Sequence, residues 1–241
     1  MPEVDPDFFT EFEKSLPHHE MILVEGGSFL MGNGGEDAKT WEKPVHEVSV
    51  PSFFIGKYPV TYVLWERVMQ THSPIFKVKG LPVEKITWYA LNKFIQSLNS
   101  LTRKSYRLPT ESEWEFAARG GIYSEGYKYS GSDRLKEVGW YEENIKGETQ
   151  VVGGKISNEL GIHGMSGNIW EWVEDHWHSN YIGAPSDGSA WIGQNVDSGH
   201  VIRGGSWISD ARFCRVSYRL SDLTGLRDDH VGFRLALSLP N

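Results

Sequence analysis

Residues 203–234 read RGGSWISDARFCRVSYRLSDLTGLRDDHVGFR. Gly204–Gly205 and Gly232 frame the stretch with turns, and Arg203, Arg212, Arg215, Arg219, Arg227 and Arg234 recur through it. Between the arginines lie aromatic, aliphatic and acidic residues with no period of a helix or strand. Guanidinium forks can grip carbonyls and carboxylates, and so hold an irregular chain without a hydrogen-bonded ladder. A fixed arginine frame carrying chemically mixed tips has the makeup of a recognition surface, as loops have in antibody paratopes. An ordinary irregular tail has the same composition and stays open at this point.

Upstream, residues 161–172 read GIHGMSGNIWEW. Gly164 and Gly167 permit sharp turns, and one of Trp170 and Trp172 is expected to anchor the core. Asn168, Glu171 and the turn carbonyls place oxygens close together, which suits a hard cation such as Ca²⁺. Equally, Glu171 could simply accept backbone hydrogen bonds. The Asp175–His176 pair reads as structural or solvated. Residues 120–160 and 178–200 are loop-dominated stretches of Gly, Ser, Asn and Asp.

Regular elements concentrate in the first half. Pro109-Thr110-Glu111-Ser112-Glu113 predicts a helix capped by Thr110, with Glu113 returning the bond, that runs to about Arg119 and ends at Gly120–Gly121. Trp88, Leu91, Phe94, Ile95 and Leu98 predict a helix over 88–99. Thr61 is expected to cap another that carries Leu64, Trp65, Val68 and Met69 on one face. Residues 21–29 and 45–54 read as strands, the first with a turn or bulge at Gly26–Gly27 and the second bounded by Pro44 and Pro51. Short strands are expected at Ile202 and over 231–237. Phe8, Phe9, Phe12 and Leu16 suggest that residues 1–20 form an N-terminal extension packed on the body.

The 241 residues carry a net charge of −8, with 26 Gly and 10 Trp, which points to tight-turned loops pinned by large aromatic anchors in one α+β domain. The acidic balance without basic runs disfavours nucleic acid as a partner. Cys214 stands alone, which excludes an internal disulfide and a thiolate-rich metal site; it reads as a buried small hydrophobe. No stretch is long enough to insert in a membrane and no basic-then-apolar leader opens the chain, so a cytoplasmic protein is the default expectation, with surface display open. No nucleophile elbow, phosphate-cradling glycine loop or histidine ligand spacing is present, so no enzyme is expected.

Gly27-Ser28-Phe29 with Met31-Gly32, Pro44-Val45-His46, Tyr58-Pro59-Val60-Thr61, Arg107-Leu108-Pro109-Thr110-Glu111 with Glu113-Trp114-Glu115, Gly167-Asn168-Ile169-Trp170-Glu171-Trp172, Arg203-Gly204-Gly205-Ser206-Trp207 and Gly232-Phe233-Arg234 follow one another along the chain. In that order they resemble the formylglycine-generating enzyme, or sulfatase-modifying factor, family over residues 21–237. The resemblance implies a single domain over 21–241 with that family's C-type lectin-like α+β fold, rich in irregular loops. It also implies a structural Ca²⁺ held by Gly167, the Ile169 carbonyl and Glu171. The family's oxidases bind copper through two cysteines, whose positions fall here on Ser209 and Cys214. One thiolate and a neutral serine cannot reproduce a soft Cu(I) site, so no copper and no oxidase activity are expected.

Residues 203–236 further resemble the variable region of proteins diversified by retroelements, in which adenine-containing codons are randomised within a fixed frame. Arg203, Trp207, Ala211, Arg212, Cys214, Arg215, Arg219, Arg227 and Gly232-Phe233-Arg234 match frame positions. Ile208, Ser209, Asp210, Phe213, Val216, Ser217, Tyr218, Leu220, Ser221, Asp222, Leu226, Asp228, Asp229 and His230 match variable ones. None of these carries Lys, Glu, Gln, Met or Trp, the residues that adenine randomisation of AAY codons cannot produce. The implied partner is an unidentified protein or other macromolecule bound by this surface. Two rivals share the fold: an undiversified accessory protein, and an iron-dependent sulfoxide-forming enzyme, which would need a second domain for its three-histidine site. Oligomeric state and ligand are not legible.

Overall fold

The computed structural model describes residues 13–71, 80–145, 147–193 and 199–239. Phe8, Phe9 and Phe12 of the expected extension lie outside them, while Leu16 is buried in the core. Each of the two predicted N-terminal strands is in fact two strands. The first divides into β1 (Met21–Val24) and β2 (Gly27–Met31), the second into β3 (His46–Val50) and β4 (Phe53–Gly56). Both divide at one point: Gly26 donates from its N–H to Ser52 Oγ at 2.8 Å, and a Cβ on Gly26 would lie 2.7 Å from the Ser52 nitrogen and the Val50 oxygen. The close backbone approach requires glycine there, and the two chains change sheets together.

Next come α1 (Tyr62–Met69), α2 (Trp88–Thr102), β5 (Tyr106–Arg107), α3 (Glu111–Ala118) and the single turn α4 (Leu135–Val138). Thr61 caps α1 as expected, its hydroxyl accepting from the Leu64 N–H. Thr87 caps α2, which starts at Trp88 as the apolar period predicts and runs past 99 to Thr102. The Thr110–Glu113 capping box of α3 is present in both directions, 3.1 Å and 2.8 Å, and Gly120 leaves the helix at φ +93°. The second half contributes β6 (Trp170–His176), β7 (His200–Arg203), β8 (Arg219–Asp222), β9 (Val231–Phe233) and β10 (Ala236–Ser238).

An antiparallel sheet runs β1-β4-β10-β5, β2 and β3 form a separate hairpin, and a third sheet runs β8-β7-β6-β9 with only the β6–β9 pair parallel. Strand β6 was unrecognised in the sequence because it is buried on both faces and so lacks alternation. Residues two apart in a strand share a face. Trp170 and Trp172 therefore both enter the core with α1 and α2, rather than one of them, while Val173 enters the second core with α3.

All eight residues of α3 are buried, including three glutamates. Each meets an arginine fork. Glu111 takes Arg219 at 2.6 Å on both oxygens, Glu113 takes Arg107 at 2.6 and 2.7 Å, and Glu115 takes Arg119 and Arg203. Burial acts to raise the Glu115 pKa, but Arg119 and Arg203 outweigh it and hold the carboxyl below its usual range. Removing one partner of such a pair strands a buried charge, at a cost of about 3–5 kcal/mol. Arg219→Met is therefore expected to lower the urea midpoint far more than Thr110→Ala, whose lost cap costs about 1 kcal/mol. Chemical denaturation of the two variants checks the ordering.

Candidate recognition surface

Four arginines of the 203–234 stretch are buried frame members, as the spacing suggested. Arg203 donates to the carbonyls of Val216, Ser217 and Tyr218 as well as to Glu115. Arg215 forks onto Glu42 at 2.7 and 2.9 Å. Arg219 reaches the carbonyls of Trp41 and His178 beyond Glu111, and its guanidinium stacks over Tyr181 and Trp177. Arg234 forks onto Glu171 at 2.9 and 2.8 Å and reaches the carbonyls of Gly56 and His163.

Arg212 and Arg227 correct the frame reading, since both are exposed. Arg212 sits in the turn Ala211–Cys214 with its side chain outward over the Phe213 ring and 3.4 Å from Asp210; its carbonyl, not its guanidinium, serves the frame by accepting from Arg215. Arg227 lies on the exposed 223–227 loop. Trp207 is half-buried and ties the frame to the last tips through an indole N–H to the Asp229 carbonyl, 3.3 Å.

Four of the expected tips are likewise corrected, because their side chains are taken by the interior. Ser209 Oγ accepts from the Ser206 N–H, Ser217 Oγ donates to Glu42, Val216 enters the second core, and Tyr218 is enclosed by Trp41, Trp170 and Phe213. Ile208, Leu220, Leu226 and Asp229 are exposed, and Asp210, Phe213, Ser221, Asp222, Asp228 and His230 are half-buried. The surface extends to residues that the sequence pattern did not single out. Lys85 N–H donates to the Asp228 carbonyl and Trp88 N–H to that of Thr224, so the 223–229 loop rests on the start of α2 beside exposed Tyr89. Trp88 stacks on His200 at 3.6 Å, and His200 faces Asp222 across β7 and β8. Their separation of more than a hundred residues hid this contact.

Cys214 is fully buried against Tyr129, Leu135, Val138 and Tyr141. Burial pushes its thiol pKa well up, with help from Asp210 and Glu142. Gly205, at φ +75°, lies so close that a Cβ there would be 2.5 Å from the sulfur. With Ser209 at the partner position, the two-thiolate copper site of the oxidases is absent from this chain.

The residues expected to hold Ca²⁺ do not fit it. Both Glu171 oxygens face Arg234, and Oε2 also accepts the Trp114 indole N–H at 2.7 Å. Asn168 spends its side chain on the Gln150 backbone, and the Gly167 carbonyl accepts from Ile169 N–H. Among the described residues, no three His, Cys, Asp or Glu side chains converge to hold a metal ion. Gly167 is glycine for close approach, since a Cβ would lie 2.3 Å from the Trp140 carbonyl.

The pattern of the sulfatase-modifying factor enzyme 1-like domain matches residues 7–239. The chain belongs to that family. A relative, the chaperone protein LppX of Paenibacillus barcinonensis, is 30% identical over 91% of this chain and 89% of its own. The Chlamydia trachomatis kinase Pkn1 matches 90% of this chain at 29% identity, but this chain spans only 38% of Pkn1. Among solved structures, PvdO from Pseudomonas aeruginosa superposes with a TM-score of 0.79 at 28% identity, over 92% of this chain and 95% of its own. Treponema denticola variable protein 1 does so with the same score and identity, over 91% and 95%. This member of the sulfatase-modifying factor family carries a single cysteine, Cys214, and so lacks the two-cysteine copper site of the oxidases.

Two measurements check this geometry. Cys214 should react with a thiol reagent only through opening of the protein, so that native-state labelling at fixed pH tracks unfolding. His200 is held near a pKa of about 4 by burial and by neighbouring His176, below an ordinary value of 6.5. The unfolded chain binds that proton first, so stability should fall as pH drops from 6.5 to 4, by at most about 3 kcal/mol from this group. His200→Gln should make the melting temperature less sensitive to pH across that interval, with His19, also held near a pKa of about 4 by burial, keeping part of the dependence.

Proposed function

We propose that this chain is a non-catalytic binding protein that displays a retroelement-diversified surface on a lectin-like scaffold. The carrying observation is the division of labour within residues 203–234: four arginines are buried in carboxylate pairs, while ten of the expected tips reach solvent on one stretch of chain. Exchanging those tips leaves the pairs untouched. Likeness to a Treponema denticola variable protein over most of both chains supports the reading. Phe213, Ile208, Leu220 and Leu226 supply apolar contact, and Asp210, Asp222, Asp228 and Asp229 supply polar selectivity.

A second reading is favoured by the four buried tip positions. Tyr218 and Val216 fill the core, where random replacement costs stability, so the same surface could serve one fixed partner in an undiversified accessory protein. The similarity to a protein named as a chaperone points the same way.

Sequencing codons 203–236 across a clonal population that expresses the retroelement machinery separates the two. Adenine-restricted changes at tip codons support diversification, and invariant codons support the fixed partner. In either case, replacing Ile208, Leu220 and Leu226 together by Ser is expected to leave the melting temperature within a few degrees while abolishing partner capture. Trp207→Ala, at a half-buried position, is expected to cost less than the roughly 3–5 kcal/mol of a fully buried tryptophan. Proportional unfolding by the tip replacements would sink the recognition reading.

A further inference from the structure

The loop that leaves β2 carries the sole Asn–Gly dipeptide of the chain, Asn33–Gly34. Asn33 is half-buried and residues 34–37 are exposed, beside an open cleft of about 420 Å³ that Arg119, Lys128 and Arg215 also line. The Asn33 side chain is held at both ends: Oδ1 accepts from the Gly35 N–H at 2.8 Å, and Nδ2 donates to Asp37 Oδ1 at 3.2 Å. The Gly34 N–H, by contrast, has no hydrogen-bond partner among the described residues. A donor on Oδ1 polarises the amide carbonyl and stabilises negative charge that develops on that oxygen. Glycine at 34 also sets no Cβ in the way of its own nitrogen. Other asparagines lack this combination. Asn99 and Asn168 are locked to the backbones of Tyr106 and Gln150, Asn158 is buried among its hydrogen-bond partners, and each is followed by a residue with a side chain that hinders ring closure.

We propose that Asn33 is a site of spontaneous deamidation in the folded protein. The Gly34 main-chain nitrogen gives its proton to solvent and bonds to Asn33 Cγ, and the tetrahedral carbon expels Nδ2 as ammonia, leaving a succinimide ring. Water then opens the ring. Attack at Cγ leaves aspartate, and attack at the main-chain carbonyl leaves isoaspartate, whose chain runs through Cβ and Cγ and is longer by a methylene. The sum is asparagine and water to a carboxylate and ammonia, so no oxidant or other reagent is needed. Either product adds a negative charge to the formal −8. The loop is also tied to the arginine framework. Gly32 donates its N–H to Glu115 and its carbonyl accepts from Arg119, the Asn33 N–H donates to the Glu42 carbonyl, and Asp37 lies 3.5 Å from Arg215. A methylene inserted after residue 33 displaces Asp37 from Arg215, so the isoaspartate form loosens the surroundings of the Glu42–Arg215 pair and lowers stability.

The test incubates the native full chain at mildly alkaline pH, which favours loss of the amide proton, and maps its proteolytic peptides by mass. A protein isoaspartate methyltransferase with a labelled methyl donor reads the isoaspartate. Asn33→Gln and Gly34→Ala run in parallel, as does the parent unfolded in urea. A Cβ at Gly34 would meet only Val45 Cγ2, at 3.5 Å, so G34A keeps the fold, and melting temperatures check both variants. The expected result is a mass gain equal to OH replacing NH₂ in the Asn33 peptide of the native parent, with methyl acceptance in the same peptide. Conversion slows several-fold in G34A and is lost in N33Q. Native Asn33 that stays intact while the unfolded chain converts, or conversion that begins at another asparagine, would overturn the proposal. Converted protein, separated by its extra charge, that melts together with the unconverted would overturn the link to the Glu42–Arg215 pair and leave the site standing.

Discussion

Buried arginine–glutamate pairing is the constraint on which the rest of this structure depends. Regular secondary structure is sparse, and long segments between 120 and 170 pass with little ladder bonding. What replaces the ladders is a set of charge-assisted forks that converge on α3 and β6. Glu111, Glu113 and Glu115 project from one helix to arginines in β5, β7 and β8, and Glu171 in β6 receives the arginine between β9 and β10. Ions in an interior are costly unless every donor and acceptor is used. Here spare guanidinium N–H groups of Arg219 and Arg234 go to backbone carbonyls of Trp41, Gly56, His163 and His178, so the pairs also tie together segments far apart in sequence, while Arg203 Nε is left without a hydrogen-bond partner among the described residues.

This dependence explains what could be read from the sequence and what could not. Local signals were strong where a local mechanism existed: the Thr110–Glu113 box, the Thr61 cap and the α2 stripe each involve residues within four of one another. The arginine frame was legible as a pattern, but its partners were not, because Arg215 and Glu42 are 173 residues apart. For the same reason the frame was over-read. Arg212 and Arg227 have the spacing of frame members, yet only three-dimensional packing decides which guanidinium finds a carboxylate. Glu171 shows the converse. Its motif suggested oxygen ligation, and the carboxylate proved to be the counter-ion of an arginine 63 residues downstream. Ser209, Val216, Ser217 and Tyr218 read as tips because nothing in the alternation of frame and non-frame residues distinguishes a side chain facing solvent from one facing Glu42 or Trp170.

The loss of catalytic equipment is physically coherent. A thiol whose pKa is pushed up by complete burial, pressed against Gly205 and enclosed by two tyrosines, is a packing group. Its former partner position, Ser209, has been drawn into a hydroxyl–backbone contact with Ser206 that helps close the same turn. In this chain both positions of the expected cysteine pair, Ser209 and Cys214, are buried packing positions.

Arg203 holds three successive carbonyls, those of Val216, Ser217 and Tyr218, with one guanidinium. Such a grip touches only main chain, so it is blind to which residues pass through it but sensitive to how many do. Insertion or deletion of a single residue between 203 and 219 would shift every carbonyl past the fork and carry Arg219 away from Glu111. The register of residues 216–219 is therefore fixed by Arg203 and Arg219 together, the side chains of Val216, Ser217 and Tyr218 are fixed as well by what they pack on, and freedom to change is left to exposed positions such as Ile208.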